Sequence, residues 1–134
     1  MTSTIAISID VPDLEQGVQF YTRAFGFSKK AVPVPGVAVV HGFNVELCLL
    51  EKASGSRPSP RTSDLRRYER HWTPVHMDIH VDDLQSALAR AVEAGAVKEQ
   101  VFENPEHGSA AFCSDPFGNG FCLIERRNKG VIGA

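Results

Sequence analysis

The residues best equipped for chemistry lie in one short stretch. Val75-His76-Met77-Asp78-Ile79-His80-Val81 alternates apolar and polar side chains, so His76, Asp78 and His80 share one face of any strand it forms. Imidazoles beside a carboxylate can hold a divalent metal or move a proton near neutrality. Spacing limits which of them can cooperate. At a rise of about 3.3 Å per residue, His76 and His80 stand about 13 Å apart, too far to share one ion, whereas Asp78 stands about 6.6 Å from His76 and needs convergent side chains. The stretch Asn44-Val45-Glu46-Leu47-Cys48-Leu49-Leu50 alternates in the same way and sets Glu46 and Cys48 opposite Val45, Leu47 and Leu49. A Glu46/His76 pair facing one cavity would be able to take a proton from a carbon next to a carbonyl. The plain alternative for each residue is a solvated or hydrogen-bonded polar group that contacts a ligand or only water.

The elements that position these residues come in two copies. Ile-Ala-Ile-Ser-Ile-Asp-Val-Pro-Asp-Leu at residues 5–14 is matched by Val-His-Met-Asp-Ile-His-Val-Asp-Asp-Leu at residues 75–84. The copies differ where it matters: position 6 is Ala and position 76 is His. In the first copy, Ile5, Ile7, Ile9 and Val11 form the apolar face of a strand, with Ala6, Ser8 and Asp10 opposite. Asp13 is the expected N-cap of a helix over residues 14–25 that stops at Gly26, and strands follow near 28–33, 37–42 and 44–50. In the second copy a helix over 83–94 stops at Gly95, and strands follow near 97–102, 109–114 and 120–126. The last two are joined by the turn-rich Asp115-Pro116-Phe117-Gly118-Asn119-Gly120. The expected organisation is a βαβββ module at 1–52, an Arg/Pro/Ser-rich linker at 53–74, a second βαβββ module at 75–127 and a disordered tail at 128–134.

Composition narrows the class. The chain has 134 residues, a net charge of −2 and a hydrophobic fraction of 43%, which suits one globular domain and offers no basic surface for nucleic acid. No apolar run reaches the roughly 18–20 residues of a membrane span. The opening Met-Thr-Ser-Thr-Ile has neither the basic start nor the apolar stretch of a signal peptide. Three cysteines, Cys48, Cys113 and Cys122, are too few for a disulfide framework and point to a reducing, cytoplasmic location.

Val11-Pro12-Asp13-Leu14 with Phe20-Tyr21 and Phe25-Gly26-Phe27, closed by Asp115-Pro116-Phe117-Gly118-Asn119, resembles the vicinal oxygen chelate superfamily of glyoxalase I, bleomycin-resistance proteins and extradiol dioxygenases. The resemblance spans about residues 4–126, and Phe121-Cys122-Leu123 is similar to a glyoxalase-like branch. It implies an α+β fold in which two tandem βαβββ modules form a cup-shaped mixed sheet with the helices outside, a homodimer, and a small-molecule ligand. It also implies four metal ligands, at positions that here are Ala6, Glu46, His76 and Cys122. Ala6 supplies no donor, and Cys122 would supply a thiolate in place of the usual carboxylate. The site is therefore read as degenerate and without a cofactor; an ion, if one is held by Glu46 and His76, would be zinc, nickel, manganese or iron.

Glu46 and His76 are the expected catalytic residues, with Ser8, Trp72, Asp78, His80 and Cys122 expected to contact the ligand. Two functions fit: a lyase or isomerase acting on a small carbonyl compound, or a non-catalytic binder of a drug or antibiotic, as in bleomycin resistance. An iron dioxygenase needs two His and one carboxylate, and the matching positions offer one His and one Glu. The linker arginines Arg57, Arg61, Arg66, Arg67 and Arg70, with Tyr68 and Trp72, would either clamp an anionic or planar ligand or remain a solvated surface. His41 falls in the cup or on its rim, and His107 in a turn.

Overall fold

A computed structural model describes residues 2–106 and 108–126. The turn expected at His107 and the tail expected from residue 128 lie outside the described residues. The chain divides into two compact units that meet between Glu69 and Arg70, and each repeats the same architecture.

In the first unit the order is β1 (Ile7–Val11), α1 (Leu14–Phe25), β2 (Ser28–Val34), β3 (Val37–Gly42) and β4 (Val45–Glu51). The sheet runs β1-β4-β3-β2, with β1 parallel to β4 and the other neighbours antiparallel. Helix α1 starts where expected, because the Asp13 side chain accepts from the Gln16 amide at 3.0 Å. It ends at Gly26, whose φ of +77° is the left-handed conformation that glycine adopts without a Cβ clash. Its apolar stripe covers β3 and β4, burying Phe20, Tyr21 and Ala24 with Ala38, Val40, Leu47 and Leu49. Alternation therefore sends Leu47 and Leu49 to the helix side and Glu46 and Cys48 to the other, as the pattern predicts.

The second unit repeats this with β5 (Met77–His80), α2 (Leu84–Ala94), β6 (Val97–Asn104), β7 (Gly108–Ser114) and β8 (Gly120–Glu125), in the sheet order β5-β8-β7-β6. The fold is α+β with two βαβββ modules, as expected. Ile79 and Leu123 are cross-strand partners and are both buried, as are Leu84 and Ala91 of α2. No helix among the described residues is long and apolar enough to cross a membrane.

Both units lock the helix to the last strand in the same way. Glu51 of β4 accepts from the Leu14 amide at 2.8 Å, and Glu125 of β8 accepts from the Leu84 amide at 3.0 Å. Each carboxylate satisfies a helix N-terminal N–H and lies at the positive end of the helix dipole. The first strands are shorter than the alternation suggests. Their parallel ladders begin at Ile7↔Leu47 and Met77↔Phe121, so Ile5 (88% exposed) and Val75 (81% exposed) precede the strands instead of joining the apolar face.

Replacing Ile79 by Ala should lower the unfolding free energy in urea by about 2–5 kcal/mol, while Val75→Ala should change it by less than about 0.5 kcal/mol. Near-equal effects would mean that the buried and open faces of β5 have been interchanged. Glu125→Ala should cost about 1 kcal/mol by removing a helix-capping acceptor. An unchanged urea midpoint would show that this bond contributes nothing.

Candidate functional site

The parallel register of the second unit pairs Asp78 with Cys122, so the two side chains leave adjacent strands on the face away from α2. His76, two residues earlier, points the same way and reaches Asp78, with Nε2 and Oδ1 3.1 Å apart. One potential ligand atom from each of His76, Asp78 and Cys122 lies within 4.8 Å of the other two. The Asp78 carboxylate is the hub, since it also accepts a hydrogen bond from the Cys122 thiol. His76 and Asp78 are about half exposed, whereas Cys122 is 8% exposed. Burial, followed by the Asp78 charge and hydrogen bond, pushes the Cys122 thiol up to about 11. Such a thiol is a poor nucleophile at neutral pH.

His76 and Cys122 line a cavity of about 150 Å³ with Trp72, Phe112 and Phe121, all within the second unit. Phe112 is the cross-strand partner of Cys122 and forms an aromatic wall beside the polar cluster. Trp72 is 81% exposed at the edge of the cavity. Its position follows from the closing turn. Buried Asp115 accepts from the Phe117 and Asn119 amides at 2.9 Å and from the Asn119 side chain at 2.9 Å. The turn in turn holds His71, through Asn119 Oδ1 to His71 Nε2 at 2.9 Å and through the His71 amide to the Gly118 carbonyl at 3.2 Å. Residues 115–119 thus serve as the support that anchors the chain leading into Trp72.

Arg70 and Glu99 complete the wall and were not singled out as a pair by the sequence. A bulge between Lys98 and Gln100 leaves Glu99 out of register and turns it towards Arg70, where Nε–Oε2 is 2.6 Å and Nη2–Oε1 is 3.2 Å. The guanidinium occupies the space over Gly120, where a Cβ would stand 2.8 Å from Nη2. The hydrogen bond to Arg70 lowers the Glu99 carboxyl below its ordinary range.

The equivalent face of the first unit is furnished differently. Its bulge residue is Lys30, and its counterpart of Gly120 is Glu46, and these two side chains form an ion pair. Lys30, by hydrogen bond and charge, holds the Glu46 carboxyl below its ordinary range, with a smaller contribution from His41, its cross-strand neighbour. Cys48, not Glu46, is the counterpart of Cys122, and it pairs with exposed Ser8. Asp10 is taken by Arg66, whose Nε donates at 2.8 Å while its Nη1 donates to Ser56 and the Arg57 carbonyl. The linker is therefore pinned to the first unit by Arg66 and to the second by Arg70. Of the expected site residues, His76, Cys122 and Trp72 line one cavity, and Asp78 touches the first two. His80 is exposed further along β5, and Glu46 and Ser8 belong to the first unit.

The four-ligand set implied by the resemblance does not fit these residues. Ala6 has no donor atom, and Glu46 is committed to Lys30.

A family model described as a glyoxalase-like domain matches residues 6–124. A search of curated proteins finds no match. Among solved structures, the fosfomycin resistance protein FosX from Listeria monocytogenes superposes with a TM-score of 0.71 at 14% identity, over 96% of each chain. A glyoxalase/bleomycin resistance protein/dioxygenase family enzyme from Burkholderia phytofirmans gives 0.69 at 17% identity, over 90% of this chain and 96% of that one. Lactoylglutathione lyase from Agrobacterium tumefaciens gives 0.60 at 16% identity, over 93% and 94%. At such identities the likeness is one of fold.

Burial also pushes the Cys113 thiol up to about 11. At neutral pH about one thiol in ten thousand would then be ionised. Iodoacetamide should spare Cys113 and Cys122 at neutral pH and modify both at rates that climb with pH towards about 11, read by mass spectrometry of the peptides. A rate plateau near the ordinary thiol value of about 8.5 would contradict the placement of these sulfurs.

Proposed function

The chain belongs to the glyoxalase-like domain family of the vicinal oxygen chelate superfamily, and from that premise we propose that it is a lyase or isomerase of small carbonyl compounds working in the cavity of its second unit. One observation carries the reading: His76 and Cys122 of the His76–Asp78–Cys122 cluster line a small cavity together with Trp72, Phe112 and Phe121 and the Arg70–Glu99 pair. A small carbonyl compound fits such a space with its carbon skeleton against Phe112 and Trp72 and its oxygen at the polar end. His76, its Nε2 held by Asp78, takes the proton beside the carbonyl on its other ring nitrogen, which leaves negative charge on the carbonyl oxygen. His76 is placed to stabilise this charge, and its contact with Asp78 fixes the ring orientation. Glu46 has no part in this reading, because its ion pair with Lys30 makes it a weaker base.

A second reading, a non-catalytic binder of a planar molecule, is favoured by the exposed Trp72 at the cavity edge. The three free cysteines suit the cytoplasm. Homodimer formation belongs to the same proposal: β2 and β6 are sheet edges exposed along their whole length, and such edges tend to be covered.

Trp72 is the only tryptophan in the chain and reports on this cavity directly. Titration with small 2-oxo aldehydes and 2-oxo acids should quench its fluorescence saturably. In deuterated water the protein should exchange the proton next to the carbonyl, as read by NMR. His76→Ala should weaken binding or exchange by about tenfold or more while changing the unfolding free energy by less than about 1 kcal/mol. Quenching without exchange would select the binder; a stability loss above about 2 kcal/mol in His76→Ala would place His76 in the core instead.

A further inference from the structure

We infer that Arg70 is the anion-recognising residue of the second unit's cavity, and that the compounds this cavity takes are small 2-oxo acids, with the carboxylate on the guanidinium and the carbon chain towards His76. The inference rests on the proposed function for its reaction, since it names the substrate class of the same site. The case for Arg70 itself comes from how the second unit seats a guanidinium.

Arg70 lines the cavity with donors still unspent. A guanidinium carries five N–H groups in one plane. Two of them go to Glu99, from Nε at 2.6 Å and from Nη2 at 3.2 Å, and Nη1 donates to the His71 carbonyl. Two N–H groups therefore remain, on a side chain that is 43% exposed. Because Glu99 and the His71 carbonyl already hold the guanidinium, it loses little freedom when a ligand joins it. It is the only permanently cationic group among the described residues of the lining. Its charge also reaches the polar end of the cavity, where it favours the thiolate form of Cys122. A 2-oxo acid presents carboxylate and keto oxygens on adjacent carbons, a planar pattern that suits a planar fork of donors.

A guanidinium that only closed the end of the sheet would be superfluous. The first unit achieves that closure with the ion pair of Lys30 and Glu46, both from its own strands. In the second unit the counterpart of Glu46 is Gly120, and the backbone is bare where a Cβ would stand 2.8 Å from Nη2. The bulge at Glu99 turns a carboxylate towards the same space. Both departures seat a cation that comes from outside the sheet. The neighbouring carboxylates are already engaged, Glu99 by Arg70 and Asp78 by His76 and the Cys122 thiol. The reaction balances without a further reagent. His76 takes a proton from the carbon next to the keto group, the C–H electron pair becomes the C=C bond of an enolate, and the carbonyl π pair moves to oxygen. The proton then returns to the same carbon. Arg70 offsets the charge that the enolate adds to the carboxylate.

The test titrates the full chain with pyruvate and with pyruvamide, its neutral counterpart of similar shape, and follows Trp72 fluorescence. Pyruvate should bind about tenfold or more tightly than pyruvamide. Arg70→Lys keeps the charge but not the fork, and should remove most of that preference. Gly120→Ala displaces the guanidinium while leaving every charge in the chain, and should have the same effect. Circular dichroism checks that each variant is folded, and Gly120→Ala provides the test if Arg70→Lys is not. Glu99→Gln should strengthen pyruvate binding by about threefold or more, because it removes a competing negative charge and keeps an acceptor for Arg70. A purely structural pair would give the opposite result, with both ligands weakened alike in Glu99→Gln. Equal binding of the two probes by the wild-type chain would overturn the inference, and so would a preference that survives in folded Arg70→Lys or Gly120→Ala. Deuterium exchange into both probes with no preference for pyruvate removes the role of Arg70 and leaves the proposed function standing. An Arg70-dependent preference for pyruvate without exchange at its methyl group supports Arg70 and removes the lyase or isomerase. Quenching by neither probe overturns both.

Discussion

The organisation of each unit depends on the parallel pairing of its first and last strands. β1 lies beside β4 and β5 beside β8, although a helix and two strands separate them in sequence. Parallel neighbours need a crossover, and the intervening helix supplies it while burying one face of the sheet. Two consequences follow from this one constraint. The start of the helix is brought beside the end of the last strand, where Glu51 and Glu125 meet it. On the opposite face, residues more than forty positions apart become neighbours, which is how Asp78 comes to touch Cys122.

Duplication sets the two faces up for comparison, and they diverge by exchange of charge. The bulge residue is Lys30 in one unit and Glu99 in the other. The position opposite it is Glu46 in one and Gly120 in the other, so the first unit closes its own ion pair across the sheet. In the second, glycine leaves a slot that only a side chain from elsewhere can fill, and Arg70 does so. These exposed pairs contribute little to stability, because water screens them. Their importance is steric: one unit fills the end of its sheet with its own side chains, and the other lines a cavity there.

The periodic features of this architecture were legible in the residues themselves. Alternation in Ile7–Val11, Val45–Glu51 and Met77–His80 gives the buried faces, and Asp13, Gly26 and Gly95 mark helix ends, while Asp83, expected inside the second helix, is its N-cap. The ends of the first strands were not legible, because Ile5 and Val75 continue the pattern past the point where a partner strand exists. Nor was the Arg70–Glu99 pair, which depends on a bulge that strict alternation cannot express. The Asp78–Cys122 contact was hidden for a related reason. Matching by resemblance sets Cys122 against Glu46, whereas the ladders make Cys48 its counterpart. One signal was available: an Ala6-to-His76 and Ser8-to-Asp78 change on the same face adds polar donors to one copy only.

That asymmetry bears on the chemistry. Asp78 accepts from His76 on one side and from the Cys122 thiol on the other, so its carboxylate is satisfied at the expense of holding the thiol protonated. A buried thiol is stable in that state, and because Cys122 is itself largely withdrawn from water the charges beside it act on it strongly. Arg70 opposes Asp78 in this balance by favouring the thiolate, although burial and the carboxylate outweigh it. The site is therefore arranged so that any species reaching it must answer a concentration of negative charge at Asp78. A carbonyl oxygen alone is repelled by such a carboxylate unless the His76 ring stands between them, which ties substrate binding in this cavity to the His76–Asp78 contact.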